Sequence, residues 1–295
     1  MSTPQPGIFK EGNRYLHALE YNVSDVFSPS TLSKAIAAAN TQEAEAVFAF
    51  GPQLWAQIAR DHMPSGFTDF QPLNGPLAQA PATQHDILVW VHGSGRDQVL
   101  DAVLAIDSVL GPAAVRELDV TGFVYHDSRD LTGFVDGSAN PKDDAAKREA
   151  ALVPEGEPGA GGAIVFSQKW AHNLPKFNEL NVADQERVIG RTKADSIELE
   201  GDAQPKDSHV SRTDLKVDGV AQKMYRRSFP YGNATEHGLY FLGFSCEQSR
   251  FENVLASMWG MAHGNVTDHL LSFSTPQTGS YWFAPSEDTL KAVLS

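Results

Sequence analysis

Asp86-Ile87-Leu88-Val89-Trp90-Val91-His92 is an unbroken apolar run, and Arg96 to Leu110 behind it carries Val99, Leu100, Val103, Leu104, Ile106 and Leu110 at helical spacing. The first stretch reads as a buried strand and the second as an amphipathic helix packed on it. Thr121-Gly122-Phe123-Val124-Tyr125 supplies the next strand. Upstream the same order is already present. Tyr15 to Val23 reads as a strand, Ser30 to Asn40 as a helix with Leu32, Ile36 and Ala39 on one face, Ala46 to Phe50 as a strand and Gln53 to Arg60 as a short helix. A strand, helix, strand order given twice predicts an α+β fold with helices on one face of a mostly antiparallel sheet.

Beyond Asp127 the pattern breaks. Asp127 to Gly162 contains the glycine turn Gly133-Phe134-Val135-Asp136-Gly137, the charged stretch Lys142 to Arg148 and the breaker-rich Pro154 to Gly162, so the domain boundary is placed there. Residues 1–140 form the first expected domain, 141–162 a connector and 163–295 the second domain. The second half repeats the element order without repeating residues. Strands are expected at Ala163 to Phe166, Gln222 to Phe229, Gly238 to Phe244 and Tyr281 to Phe283, and helices near Val182 to Ile189 and at Gln248 to Met261. The result is a tandem α+β architecture. Lys193 to Gly219 is a long polar excursion of the kind that forms lids, binding loops or cofactor contacts.

Acidic residues outnumber basic ones by 37 to 23, a balance that repels phosphate backbones and anionic lipids and argues against nucleic-acid and membrane roles. A single cysteine, Cys246, excludes an intrachain disulfide and a cysteine-held metal cluster. The opening Met1 to Gly7 lacks a secretory pattern and no apolar run is long enough to span a bilayer, so a cytoplasmic protein is expected. Ser286 to Ser295 reads as a short helix, with no extension for loading into a protein shell.

Three polar groups stand out as carriers of chemistry: Asp136 between Gly133 and Gly137, His209 in the excursion, and Arg226 in Met224 to Gly232. Gly133 and Gly137 permit backbone angles that a side chain forbids and let a bulky partner approach the main chain. Hydrolytic zinc needs about three ligands at compatible spacing, and the other close histidine pair, His263 and His269, has no HExxH pattern. A Ser/His/Asp hydrolase lacks its GxSxG elbow here. Haem is the third option.

Gly133-Phe134-Val135-Asp136-Gly137, Ser208-His209-Val210-Ser211-Arg212-Thr213 and Arg226-Arg227-Ser228-Phe229-Pro230-Tyr231-Gly232 resemble, in order, the three signatures of dye-decolorizing peroxidases, and the compact length resembles the B-type subgroup. The resemblance extends through Gly238 to Phe241 and Asp268 to Thr275. It implies tandem ferredoxin-like domains with antiparallel sheets and outer helices, and haem b in the second domain. His209 then matches the axial iron ligand and Asp268 its carboxylate partner, which raises ligand basicity. Asp136 and Arg226 match the distal pair that moves a proton and stabilises separating charge. Arg226 is expected to hold Asp136 ionised, and activity to persist in acid. Ser228 matches a small distal polar residue, Phe241 an aromatic over the haem, and Arg191 either a propionate partner or a helix-end charge. Neighbouring Arg227 is read as a snorkelling strand residue.

The implied reaction is reduction of hydrogen peroxide with one-electron oxidation of bulky aromatic donors such as dyes and phenols. Such donors stay outside the pocket, and Trp170, Trp259, Tyr240, Tyr281 and Trp282 are candidate redox relays, each also an ordinary core aromatic. A homo-oligomer is expected. Two other functions compete: a haem-handling protein, which has no reason to place Asp136 and Arg226 beside the iron, and a cofactor-free interaction protein, which would show no Soret band.

Overall fold

The computed structural model describes residues 2–262 and 264–294. Met1, His263 and Ser295 lie outside the described residues, and with His263 one half of the His263 and His269 pair; the short helix expected near the end runs over Glu287–Val293. The first half contains β1 (Tyr15–Val23), α1 (Pro29–Ala39), β2 (Glu45–Phe50), β3 (Ile87–Gly93), α2 (Arg96–Leu110) and β4 (Ala114–Phe123). Its strands lie in the order β4-β1-β3-β2, all neighbours antiparallel. The second half contains β5 (Ala163–His172), β6 (Phe229–Gly232), β7 (His237–Ser245), α3 (Ser249–Met258) and β8 (Ser280–Ala284). Its order is β6-β7-β5-β8, again antiparallel.

The two sheets join edge to edge. β4 meets β6 at Gly122 and Tyr231, β2 meets β8 at Phe50 and Phe283, and the ring closes into a barrel of these strands. Each seam is a single register pair, whereas β1 and β3 share a ladder from Tyr15 to Tyr21. Gly122 is required at its seam, because a Cβ there would run into the Phe229 ring and the Pro230 carbonyl.

Closure explains why β3 reads as a continuous apolar run: every one of its residues is buried, one face in the lumen and the other under helices. Leu16, Ala18, Trp90, Val165, Leu242 and Trp282 fill the lumen. α1 and α2 cover the outside of the first half, and α3 covers the outside of the second. Burying one such side chain contributes about 1.5–3 kcal/mol, so both faces of the wall must be covered to keep these residues dry.

Several expected boundaries shift, and β4, expected at Thr121 to Tyr125, already begins at Ala114 and ends at Phe123. β5 runs on to His172, because its later residues pair with β7 and with Ser274–Pro276. The charged stretch of the connector is a helix, Asp144–Ala151, capped by the Asp143 side chain on the Ala146 amide. The strand expected from Gln222 to Phe229 is broken. Tyr225–Arg226 and β6 both pair with β7, and between them the Ser228 hydroxyl accepts from the Leu242 amide at 3.3 Å, where a backbone carbonyl would otherwise sit. That break sends neighbouring arginines to different places. Arg226 lines a cavity outside the barrel, while the Arg227 guanidinium stacks on Trp90 and donates to the Ile8 and Lys10 carbonyls. Arg227 is therefore inserted into the wall and does not snorkel to solvent. Among the described residues no helix is long and apolar enough to cross a membrane.

Candidate active site

A cavity opens between α3 and the outer face of β5 and β7. Its floor is apolar, with Phe166, Trp170 and Phe241 from the strands facing Phe251, Leu255 and Met258 from the helix. Alternation places every second residue of β5 on this face, so Gln168 and His172 join Phe166 and Trp170 there.

His209 stands on one side of the cavity as the first residue of the short helix His209–Thr213, whose start is capped by Ser208. Its Nδ1 lies 2.7 Å from Oδ2 of the fully buried Asp268. Asp268 is itself fixed: it caps the turn His269–Ser272, its Oδ1 accepting from the Leu270 amide at 2.9 Å. With the carboxylate accepting, Nδ1 carries the proton and Nε2 keeps its lone pair, for which the described residues offer no partner. A neutral imidazole oriented by a buried carboxylate is a metal-ligand arrangement.

Opposite stands the glycine turn. Gly133 at φ +89° and Gly137 at φ +69° both adopt the left-handed region, as the sequence pattern demands. Asp136 Oδ1 accepts from the Gly137 amide at 2.7 Å. Asn140 then ties this turn to the broken strand, its Nδ2 donating to the Arg226 carbonyl at 2.8 Å and its Oδ1 accepting from the Arg226 amide at 3.0 Å. Asp136 and Arg226 are thereby held on the same wall by the main chain, and the Arg226 guanidinium makes no hydrogen bond or ion pair among the described residues.

The charge state of Asp136 corrects the sequence expectation. Its pKa is raised, because burial penalises the carboxylate more than Arg226 favours it, and Asp130 adds repulsion. Arg226 acts in the expected direction but does not win. Asp136 therefore protonates at a higher pH than an ordinary aspartate, which narrows the acid range in which it serves as a base.

The remaining candidates are spread more widely. Phe241 lines the cavity. Arg191 lines it too, yet its guanidinium is held by Glu198 at 2.7 Å and by the Ser196 carbonyl at 3.0 Å. Gly133 sits behind the wall against Lys193. Ser228 lines a second recess, which shares Asp136, Gly137 and Arg226 with the main cavity and opens past Glu11 and Tyr125. Of the aromatic relays, Trp170 is at the cavity, and Trp259, Tyr240, Tyr281 and Trp282 are buried.

Sequence reasoning missed two features. His172 forms a second histidine–carboxylate pair, Nε2 at 3.0 Å from Asp130 Oδ1, with Nδ1 at 2.7 Å from the Ser274 hydroxyl. Gln168 is fully buried at the cavity floor, and neither of its amide atoms has a partner. Gln168 sits in a polar Ser167-Gln168-Lys169 step between apolar strand residues, which was the available signal for it; nothing local marks His172.

Known proteins give this arrangement its class. Residues 9–124 match the N-terminal and residues 127–289 the C-terminal part described for Dyp-type peroxidases. The chain belongs to the Dyp-type peroxidase family, enzymes with two domains of helices and antiparallel sheets. It is 36% identical over 254 residues to the dye-decolorizing peroxidase of Mycobacterium tuberculosis, covering 85% of this chain and 76% of that one. A putative Dyp-type peroxidase of Shewanella oneidensis superposes with a TM-score of 0.92 at 33% identity over 99% of both chains. DyPB of Rhodococcus jostii superposes at 0.90 with 33% identity, over 98% of this chain and 97% of that one, in agreement with the B-type assignment. A variant of that protein, solved in complex with heme, superposes at 0.89 with 34% identity over 96% of this chain and 97% of its own.

Proposed function

We propose that this peroxidase binds haem b in the cavity of its second half, His209 holding the iron, and reduces hydrogen peroxide at the expense of bulky aromatic donors such as dyes and phenols. The observation that carries the reading is the unpartnered Nε2 of a carboxylate-backed histidine on an apolar cavity, with an unpaired arginine and a half-buried aspartate on the other wall. The residues fit such a group. The apolar floor suits a flat macrocycle, and the unpaired amide atoms of Gln168 lie where a bound group would meet them.

Haem supplies the iron that accepts peroxide and stores its oxidising equivalents. The protein does the rest. Asp268 keeps His209 in the tautomer that binds metal through Nε2. Asp136, when ionised, takes the proton from the inner peroxide oxygen and returns it to the outer one. Arg226, free of other partners, stabilises the negative charge that grows on the leaving oxygen. Ser228 lines the recess that reaches this pair from outside. Arg191 is assigned to a propionate, a role its remaining donor hydrogens permit beside Glu198.

The two-domain division 1–140 and 163–295, with 141–162 connecting, and the ferredoxin-like character of each half belong to the same proposal. They are supported by the shared strand order, fourth-first-third-second in each half, and by seams of one register pair. An absorbance scan of purified protein tests the central claim: a Soret band that changes on adding peroxide, with an aromatic dye bleached afterwards, is expected. Absence of the band from protein supplied with haem would overturn it.

A further inference from the structure

We propose that Tyr240 is an internal electron donor, its phenolic proton passing to Glu20 inside the barrel; this role rests on the peroxidase reading above. Tyr240 and Glu20 are both fully buried in the lumen, and the phenol donates to Glu20 Oε1 at 2.7 Å. Ser167 donates to the same oxygen at 3.3 Å and accepts from the Trp282 indole at 2.9 Å. Glu20 Oε2 has no hydrogen-bond partner. A buried carboxylate without a cation costs several kcal/mol, and a glutamine would satisfy Tyr240 and Ser167 without that cost. What a glutamine lacks is the capacity to take a proton.

The location suits electron transfer. Successive strand residues point to opposite faces, so Phe241, beside Tyr240, lines the cavity, as do Phe166 and Gln168 on either side of Ser167. The network lies one wall thickness from the cavity. In the step itself, Tyr240 gives one electron to the peroxide-oxidised haem, its O–H bond breaks, and the proton forms a carboxylic acid at Glu20. The haem is reduced by one electron and a neutral tyrosyl radical remains. His85 is the nearest other titratable group, its Nδ1 3.2 Å from Asn22 Oδ1 and its Nε2 4.0 Å from Glu20 Oε2, too far for a hydrogen bond, so the proton stays on Glu20.

Other aromatic residues are poorer donors for stated reasons. Tyr21 donates to Asp107, but that carboxylate is shared with Arg116. Tyr225 donates to Glu11, whose basicity is lowered by Lys147, and the Tyr225 ring lies 5.7 Å from Arg227 and 5.9 Å from Lys147. Trp90 lies under Arg227 at 4.9 Å and its indole nitrogen has no acceptor. Removing an electron beside a cation is disfavoured, and without an acceptor the proton has nowhere to go. Glu20, by contrast, is raised to about 7 by burial, so it is a strong base for a carboxylate once ionised. The titratable groups facing it are Tyr240 and His85, the latter kept neutral by its own burial.

Haem-loaded protein mixed with one equivalent of hydrogen peroxide, without donor, and frozen for electron paramagnetic resonance tests this. A tyrosyl signal that narrows with ring-deuterated tyrosine is expected, growing as pH rises through about 7. Tyr240→Phe and, at pH above Glu20's titration, Glu20→Gln are each expected to lower it at least tenfold. A carboxylic-acid carbonyl band is expected in the infrared difference spectrum of the wild type and not of Glu20→Gln. The peroxide-induced change in haem absorbance is followed in every sample. If that change occurs and the radical survives Tyr240→Phe, the tyrosine assignment falls alone. If peroxide leaves the haem absorbance unchanged in wild type, the peroxidase reading falls and this proposal with it.

Discussion

Two histidine–carboxylate pairs line one cavity, and they differ in what is left over. His209 spends one ring nitrogen on Asp268 and keeps the other, whereas His172 spends both, on Asp130 and on Ser274. Only the first pair has a lone pair to offer a metal. The second is a strut. Asp130 also accepts from the Thr132 amide and hydroxyl, and its own amide and carbonyl close the turn through Phe134 and Gly133. The salt-bridged, hydrogen-bonded Asp130 is held down at about 2 despite burial. So the same residue types anchor opposite sides of the site: one pair presents a ligand, and the other fixes the loop that carries Asp136. Residue identity does not separate the roles; the count of free ring nitrogens does.

The sharpest way to break this distinction is to remove each imidazole in turn. His209→Ala is expected to weaken haem retention by more than the roughly 10–100-fold typical of an outer-sphere change, while His172→Ala keeps a Soret band. Equal loss in both, measured by titrating haem into the purified variants, would erase the difference. On the loop side, Asp136→Ala is expected to slow the first peroxide-driven change in haem absorbance by about 10²- to 10⁴-fold. Arg226→Leu should slow it by about 10²- to 10³-fold. Stopped-flow rates within a few-fold of wild type for both would remove the distal assignment. Asp268→Asn should leave haem bound, with affinity lowered about tenfold and the ferric/ferrous potential moved upward, since a neutral amide makes His209 a weaker donor. A potential equal to wild type, by redox titration, would show that the pair does not tune the iron.

The smallest expected effect concerns pH. Asp136 must be ionised to accept a proton, and its pKa is raised, so the rate should fall on acidification from a pH above the ordinary carboxylate value of about 4. Neutralising Asp130 removes one of the groups that raise Asp136. In Asp130→Asn the acid limb should therefore move to lower pH, and a limb moving upward would show that the strut governs geometry and not charge.

Local chemistry carried much of this into the sequence. The helix Arg96–Leu110 and the glycines at positive φ are set by residues close in the chain, and their patterns are legible there. His209 and Asp268 are 59 residues apart, and only the family resemblance joined them. Three things were hidden. Barrel closure depends on Phe50 with Phe283 and Gly122 with Tyr231, single contacts between residues more than a hundred positions apart that leave no local trace in either strand. The break between Arg226 and β6 depends on one serine hydroxyl replacing a ladder acceptor, which composition does not reveal. The sign of the Asp136 shift depends on depth below the surface weighed against one arginine, and depth is a property of the finished fold.

The narrow seams between the halves matter before the enzyme has any activity. The first half leaves the ribosome with β2 and β4 at the edges of an unfinished sheet, and their partners, β8 and β6, are the last and a late strand to be made. Until then, two rows of main-chain donors and acceptors face solvent beside apolar side chains destined for the lumen. A nascent chain of this kind invites capture by another of its own sort at the open edges. Early termination or a slow stretch of translation before Ser280 should thus show itself as aggregated protein, while the full-length chain, once its last strand docks, has no such edge left at these seams.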